Sequence, residues 1–433
     1  NRMIIIYEVH NLRIVDEKSK KSSVKYLTKL ANVTNNLKLL LLSATPMFNS
    51  HLEIVWLLNL LNANDNRFLI NPKEIFDSDG DFIEGGRELL IQKMTGYVSY
   101  VKGNNPFTFP YTIYPKLANN PDSYKTLMDS GWKYPSKQMN GYDIESGIEG
   151  LDLIMTNIES YQTKGYNIIL DALKDRKEFK QTSKGFSYTL LEPLLQGLNM
   201  IYPHEKLSIL DEDKEDEDKK DEDKEDEDKE DEDKEDEDKE DEDKEDEDSL
   251  KDMEKGIYKE LYGSRGLSRI MDYNKKTKRE FKYKKEILDK YGRIFEPDNI
   301  KNYSSKISYI CESIKKSKGI VFIYSQYIDG GSIPIALALE EMGITRYGKE
   351  DSLFEDSDKE QVDAITMKPR QGNEKINPAK YIMILGDKSL TPDVETEIKA
   401  ATGPDNKDGE KVKVIIVSKA GSEGLDFQNI RQI

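Results

Sequence analysis

The sequence has a single cysteine, Cys311, and no apolar run that approaches the roughly 20 residues needed to cross a bilayer. One cysteine excludes an internal disulfide and a cysteine-based zinc site, which is typical of proteins from a reducing compartment. Cys311 itself is predicted to be a small core residue rather than a reactive thiol. No membrane partner is expected.

Net charge is almost absent once one tract is set aside. Residues 211–248 form a near-perfect repeat of DEDKE with 30 acidic residues, 8 lysines and no apolar residue. The rest of the chain has 57 basic and 53 acidic residues, so the formal net charge of -18 says little about the folded parts. The repeat cannot bury a core and is predicted to be a disordered acidic insertion. The mildly basic remainder is compatible with a polyanionic partner.

Short apolar runs alternate with helical patterns at both ends of the chain, which predicts an α/β fold with parallel sheets. Between residues 67 and 300 the pattern is weaker and includes an aromatic and proline-rich stretch, 103–116, predicted as loop. The predicted strands are Met3–Ile6, Leu39–Leu42, Gly319–Ser325, Tyr381–Asp387 and Val412–Ser418, and the predicted helices are Val24–Asn32, His51–Leu61, Ile307–Ile314 and Ile333–Met342.

The first candidate site follows the first strand, where the chain reads Tyr7, Glu8, Val9, His10. An acidic residue and a histidine at the carboxyl end of a strand are typical of nucleotide-hydrolysing sites, in which carboxylates hold magnesium and orient water. A solvated turn is the alternative interpretation of the same four residues.

A second candidate segment, Ser43, Ala44 and Thr45, follows the next predicted strand. Hydroxyl groups at a strand end can bond to the acidic segment and so couple two sites. Serine and threonine also suit the start of a helix, so a simple helix cap is the alternative.

These two segments, together with VIIVSKAGSEGLDFQNIRQI at 414–433, resemble motifs II, III and V of superfamily 2 helicases of the DExH, Swi/Snf-like type. The segments GIVFIYSQYIDGGSIPIALALEEMG and YIMILGDKSLTPD are similar to helicases of nucleocytoplasmic large DNA viruses. The resemblance covers most of the chain except about residues 120 to 250, and it identifies the chain as a fragment that runs from motif II to motif V.

The resemblance implies two RecA-like parallel-sheet lobes, both incomplete, with ATP and magnesium as cofactors between them. The implied domains are residues 1–115 for the latter part of the first lobe, 116–300 for an insertion, and 301–433 for the truncated second lobe. It also implies duplex DNA or RNA as a partner, association with viral transcription machinery, and localisation in a virion or a cytoplasmic viral factory.

The resemblance also assigns roles to individual residues. Glu8 would polarise the attacking water, Tyr7 would stand at the magnesium position, and His10 would contact the bridge between lobes. Ser43, Ala44 and Thr45 would form the coupling motif. The nucleotide would be approached by Gly424 and Asp426, and the nucleic acid would be contacted by Ser325, Gln326, Lys419 and Ser422.

Three departures from the family pattern bear on activity. No phosphate-binding loop of the form GxxxxGK[ST] occurs, and no motif VI with its arginine finger follows motif V. Tyr7 stands where the family has aspartate, and a phenol is neutral at pH 7 and a poor magnesium ligand. We therefore expect this chain to be inactive as an ATPase by itself.

Two functions remain open on the sequence. The first is part of an ATP-dependent helicase or translocase that serves viral transcription or replication. The second is a non-catalytic helicase-like subunit of a viral transcription complex that binds DNA or partner proteins. Tyr7 favours the second, whereas the intact Glu8, the SATP segment at 43–46 and the GSEGLD segment at 421–426 favour the first.

Overall fold

We describe a computed structural model of the 433-residue chain. The structure describes residues 2–12, 22–34, 36–43, 45–47, 51–77, 80–100, 120–137, 143–144, 153–174, 188–207, 256–277, 279–348, 352–355, 359–370, 375–387, 390–391, 393–419, 427 and 429–433. The predicted loop at 103–116 and the predicted acidic insertion at 211–248 lie outside these residues. The chain divides into two compact units, Asn1–Thr112 and Ile113–Ile433.

The first unit is built on two parallel strands, β1 (Arg2–Tyr7) and β2 (Leu37–Leu42). The connection between them contains helix α1 (Ser22–Val33), and helices α2 (His51–Asn64) and α3 (Gly86–Met94) follow β2. A strand, a helix and a parallel strand form the βαβ unit that the alternating pattern predicted. The predicted segments Met3–Ile6, Val24–Asn32, Leu39–Leu42 and His51–Leu61 all lie within these elements.

Helix α2 supplies most of the packing in the first unit. Its buried side chains Val55 and Leu58 form one apolar cluster with Ile70, Ile75, Phe76 and Leu90. The side chain of Asn59 exchanges two hydrogen bonds with the backbone of Ile70, at 2.9 Å and 2.6 Å, which ties the loop after α2 to the helix.

The second unit contains a five-stranded parallel sheet. Its strands are β5 (Ile320–Tyr324), β6 (Thr345–Arg346), β7 (Lys380–Ile384), β8 (Val414–Val417) and β9 (Ile430–Gln432), in the order β6-β7-β8-β5-β9. Every side chain of β8 is buried, as expected of a central strand of a parallel sheet with both faces covered.

Alternation along these strands divides the core of the second unit into two layers. Val321, Met383 and Val414 point into a large cluster that includes helix α11 (Ile333–Glu341) and Cys311 of helix α10 (Ser305–Lys316). Ile382 and Ile415 point into a smaller cluster on the other face, with helix α12 (Val394–Thr402). The prediction of Cys311 as a core residue is confirmed, since its side chain is buried.

The described parts between 120 and 303 pack into the second unit. The antiparallel pair β3 (Met271–Asn274) and β4 (Arg279–Tyr283) contributes Met271 and Phe281 to the large cluster. The helices of this part are α4 (Tyr124–Asp129), α5 (Ser160–Lys174), α6 (Tyr188–Asn199), α7 (Gly263–Ile270), α8 (Lys285–Tyr291) and α9 (Pro297–Tyr303). The boundaries predicted at 115/116 and 300/301 stay a prediction.

The mixed α/β class with parallel sheets is confirmed, and it is consistent with RecA-like lobes. Within the described residues, no helix is both long enough and apolar enough to cross a membrane.

Candidate functional site at the strand ends

In the first unit the two predicted segments lie at the same edge of a sheet. β1 and β2 are parallel, and their last residues Tyr7 and Leu42 are register partners. Because the carboxyl ends of parallel strands meet at one edge, Glu8 and Ser43 follow their strands side by side. The separation of 35 residues along the chain is closed by the βαβ connection.

His10 joins the two segments. Its imidazole Nδ1 lies 2.8 Å from Oγ of Ser43 and 3.2 Å from Oε2 of Glu8, and its side chain is buried. Ser43 Oγ also accepts a hydrogen bond of 3.1 Å from the backbone N–H of Thr45. Both contacts of His10 converge on one nitrogen. An unprotonated Nδ1 accepts from the Ser43 hydroxyl, whereas a protonated Nδ1 donates to the Glu8 carboxylate.

The backbone at Glu8 is in the left-handed region, with φ of +53°. For a residue other than glycine this conformation costs roughly 1–2 kcal/mol, and such costs concentrate at functional sites. The N–H of Asn11 donates to the Glu8 carbonyl at 2.9 Å, which closes the turn after β1. The turn directs the Glu8 carboxylate to His10, and 22% of the Glu8 side chain stays exposed to solvent.

Tyr7 ends β1 with 70% of its surface exposed. Its phenol therefore stands open to solvent at the position that the resemblance gives to a magnesium carboxylate. Within the described residues, no three His, Cys, Asp or Glu side chains lie together in a way that could hold a metal ion. Magnesium with bound phosphates usually takes one or two protein carboxylates, and Tyr7 offers none at the position that the resemblance gives to this ligand.

In the second unit, Ser325, Gln326 and Lys419 lie at the carboxyl edge of the five-stranded sheet. Tyr324 and Val417 are register partners at the ends of β5 and β8, so Gln326 and Lys419 each follow that pair by two residues. Both side chains are exposed. This edge is where open α/β sheets bind ligands.

Ser325 differs from these two residues because it is buried. Its hydroxyl donates to the carbonyl of Tyr327 at 3.1 Å, and its N–H donates to Val417 at 3.0 Å. A Cβ added at Gly331 would meet Ser325 Oγ at 2.1 Å, so this turn requires glycine there. The geometry favours Ser325 as a residue that shapes the turn and so positions Gln326. Sequence reasoning missed Gly331, although the Gly330-Gly331 pair after a strand was a usable signal.

The other predicted site residues, Ala44, Ser422, Gly424 and Asp426, lie outside the described residues. The described part of the predicted site thus consists of two strand-end groups, one in each unit. In the first unit, acidic, imidazole and hydroxyl groups meet across the ends of two neighbouring parallel strands.

Comparison with known proteins identifies relatives in viruses. A protein of Acanthamoeba polyphaga mimivirus that is named as a candidate ATP-dependent RNA helicase is 37% identical over 113 residues, which cover 25% of this chain and 9% of the relative. A second mimivirus protein with the same designation is 21% identical over 447 aligned residues, which cover 100% of this chain and 53% of the relative.

A third relative is a termination factor NPH-I homolog of African swine fever virus, 29% identical over 143 residues, which cover 30% of this chain and 20% of the relative. No protein-family model matches the chain. The chain is thus related to viral helicases, as the resemblance implied, and it spans about half or less of the length of these relatives.

Proposed function

We propose that the chain is part of an ATP-dependent nucleic-acid helicase or translocase that serves viral transcription or replication. The observation that carries this proposal is the contact of 2.8 Å between His10 and Ser43, because it joins the acidic segment to the SAT segment. A motor needs such a joint, since the state of the nucleotide must change the contacts that hold the nucleic acid. A solvated turn or a helix cap would not require a buried histidine between the two strand ends.

Glu8 is the residue for the chemical step. When bound, ATP supplies the phosphoryl group and magnesium neutralises its charge. The protein has to position the attacking water. The Glu8 carboxylate is partly exposed and is held by a strained turn beside His10, so it can accept a hydrogen bond from such a water.

The nucleic-acid partner is duplex DNA or RNA. Support comes from Gln326 and Lys419, which are exposed at one edge of the sheet, and from the helicase designation of two relatives. The viral relatives also support an association with viral transcription machinery, in a virion or a cytoplasmic viral factory.

One observation favours a second candidate, a non-catalytic helicase-like subunit that binds DNA or partner proteins. Tyr7 presents an exposed phenol at the magnesium position, and a phenol does not replace a carboxylate as a ligand for magnesium. In this alternative the strand-end contacts are kept because they hold the shape of the lobes.

The experiment that separates the two candidates is ATP hydrolysis by the Tyr7→Asp variant of the product of the complete open reading frame, measured with and without duplex nucleic acid. A motor is expected to hydrolyse ATP faster when the duplex is present. Duplex binding with no hydrolysis would favour the non-catalytic subunit, and neither binding nor hydrolysis would contradict both.

A further inference from the structure

A cavity of about 590 Å³ opens beside the carboxyl end of β5 in the second unit. Its walls come from three separate parts of the chain: Gln196 of α6, the segment from Lys259 to Arg265, and the segment from Gln326 to Gly330. The volume lies in the range of ordinary ligand sites. Gln326 is the only one of the predicted nucleic-acid residues in its lining, so most of the cavity comes from residues that the sequence patterns did not single out.

The cavity is preformed because the side chains of Gln196, Asn199 and Tyr202 contact the backbone of the segments that line it. A Cβ added at Gly263 would meet Gln196 Oε1 at 2.7 Å, and one added at Gly330 would meet the same atom at 2.5 Å. Glycine at both positions therefore lets the two segments close on the Gln196 amide. Asn199 Nδ2 donates to the Gly330 carbonyl at 3.3 Å, and the Tyr202 hydroxyl donates to the Asp329 carbonyl at 3.0 Å.

The charge of the lining indicates the ligand. Lys259 and Arg265 are exposed cations of the lining, and Asp329 is the one acidic residue among the described lining residues. The balance is one positive charge, which matches the single negative charge of a phosphodiester. A nucleoside triphosphate carries three to four negative charges and would leave most of its charge unmatched. Arginine and lysine side chains are the common donors to backbone phosphates.

We propose that Lys259 and Arg265 hold a backbone phosphate of the nucleic acid in this cavity, next to Gln326. This inference rests on the proposed function and extends its nucleic-acid surface to the segment 256–265, before β3. The two cations lie on one segment and Gln326 lies on another, and contacts with Gln196, Asn199 and Tyr202 hold these segments in place. A nucleic-acid strand that passes the edge of the sheet would therefore contact all three side chains as one site.

The test uses the full 433-residue chain and a fluorescein-labelled duplex, with binding followed by fluorescence anisotropy over a range of salt concentrations. The test variant is Lys259→Ala/Arg265→Ala. Lys316→Ala/Lys318→Ala is the matched control, because these lysines are also exposed cations of the second unit but precede β5 at the opposite edge of the sheet.

Each neutralised phosphate contributes about 0.9 to the steepness of log K against log salt, so loss of this one phosphate site is expected to make the slope less steep by about 0.9. Two exposed ion pairs also correspond to about a tenfold weaker affinity at low salt. The control variant is expected to keep both the slope and the affinity.

If the test variant binds like the unaltered chain, or if the control loses as much as the test variant, the phosphate site is wrong while the proposed function stands. If the unaltered chain does not bind the duplex at all, both the phosphate site and the nucleic-acid part of the proposed function are contradicted.

Discussion

The imidazole Nδ1 of His10 lies 2.8 Å from Oγ of Ser43, although 33 residues separate them in the chain. Ser43 Oγ in turn accepts from the Thr45 N–H at 3.1 Å, so one hydroxyl organises both the buried histidine and the backbone that follows β2. Ser43 therefore links the two strand ends of the first unit through its hydroxyl.

Replacement of Ser43 by alanine should expose the Thr45 amide. The variant removes the acceptor of that N–H, and a hydrogen bond has a net value of about 1 kcal/mol, so hydrogen exchange at Thr45 should become about five times faster. Ser43→Thr keeps the hydroxyl and is the control. An exchange rate at Thr45 that does not change in Ser43→Ala would show that the contact does not order this segment.

The thiol of Cys311 should be unreactive in the folded protein. Burial raises its pKa to about 12, so at pH 8 it is both neutral and inaccessible. We expect a disulfide reagent to label it at least about a thousandfold more slowly than in concentrated guanidinium, because labelling requires unfolding of the second unit. Complete labelling of the native protein at the rate of a free thiol would contradict the core position.

Tyr381→Phe should destabilise the second unit. The Tyr381 hydroxyl donates to the buried Glu340 carboxylate at 2.7 Å, beside the N–H groups of Leu353 and Phe354. Loss of a bond to a charged group should lower the free energy of unfolding by about 1.5–3 kcal/mol, measured by urea denaturation at pH 7. Tyr324→Phe, at a half-exposed tyrosine, is the control and should change it by less than about 0.5 kcal/mol.

The same variant should show a pH dependence of known sign. Burial raises the pKa of Glu340, while its hydrogen-bond donors, Tyr381 included, lower it. Without the Tyr381 donor this pKa rises further, so the folded state favours the protonated carboxyl more strongly. The deficit in stability should therefore shrink as the pH falls and Glu340 becomes protonated. A deficit that grows on acidification would contradict a Tyr381 hydrogen bond that favours the carboxylate form of Glu340.

The sequence predicted the ends of the chain well because parallel strands that are buried on both faces are almost wholly apolar. The wholly apolar run at Val414–Val417 predicts a buried strand, and it forms β8. The position of Glu8 and Ser43 at the same edge of the sheet was also predictable, since parallel strands bring their carboxyl ends together. The left-handed backbone at Glu8 was not, because tertiary contacts around the turn select it.

The middle of the chain was harder to predict because its local signals conflict with its tertiary contacts. Helix α6 contains Pro193 and Gly197, which both disfavour a helix interior. Tertiary packing overrides them: Leu194 is buried, and a Cβ at Gly197 would meet Ile169 at 2.9 Å, so the glycine permits close contact with α5. The walls of the phosphate cavity come from distant segments, which no pattern within one segment could reveal.

We propose that Glu8 and Tyr7 occupy the hydrolytic site of a helicase-like motor. The most direct measurement is duplex-stimulated ATP hydrolysis, with magnesium, by the product of the complete open reading frame with Tyr7, with Tyr7→Asp, and with Tyr7→Asp/Glu8→Gln. We predict that Tyr7→Asp is the active form and that the added Glu8→Gln lowers its rate by about a hundredfold or more. Equal rates with Tyr7 and with Asp at this position would contradict the assignment of the site.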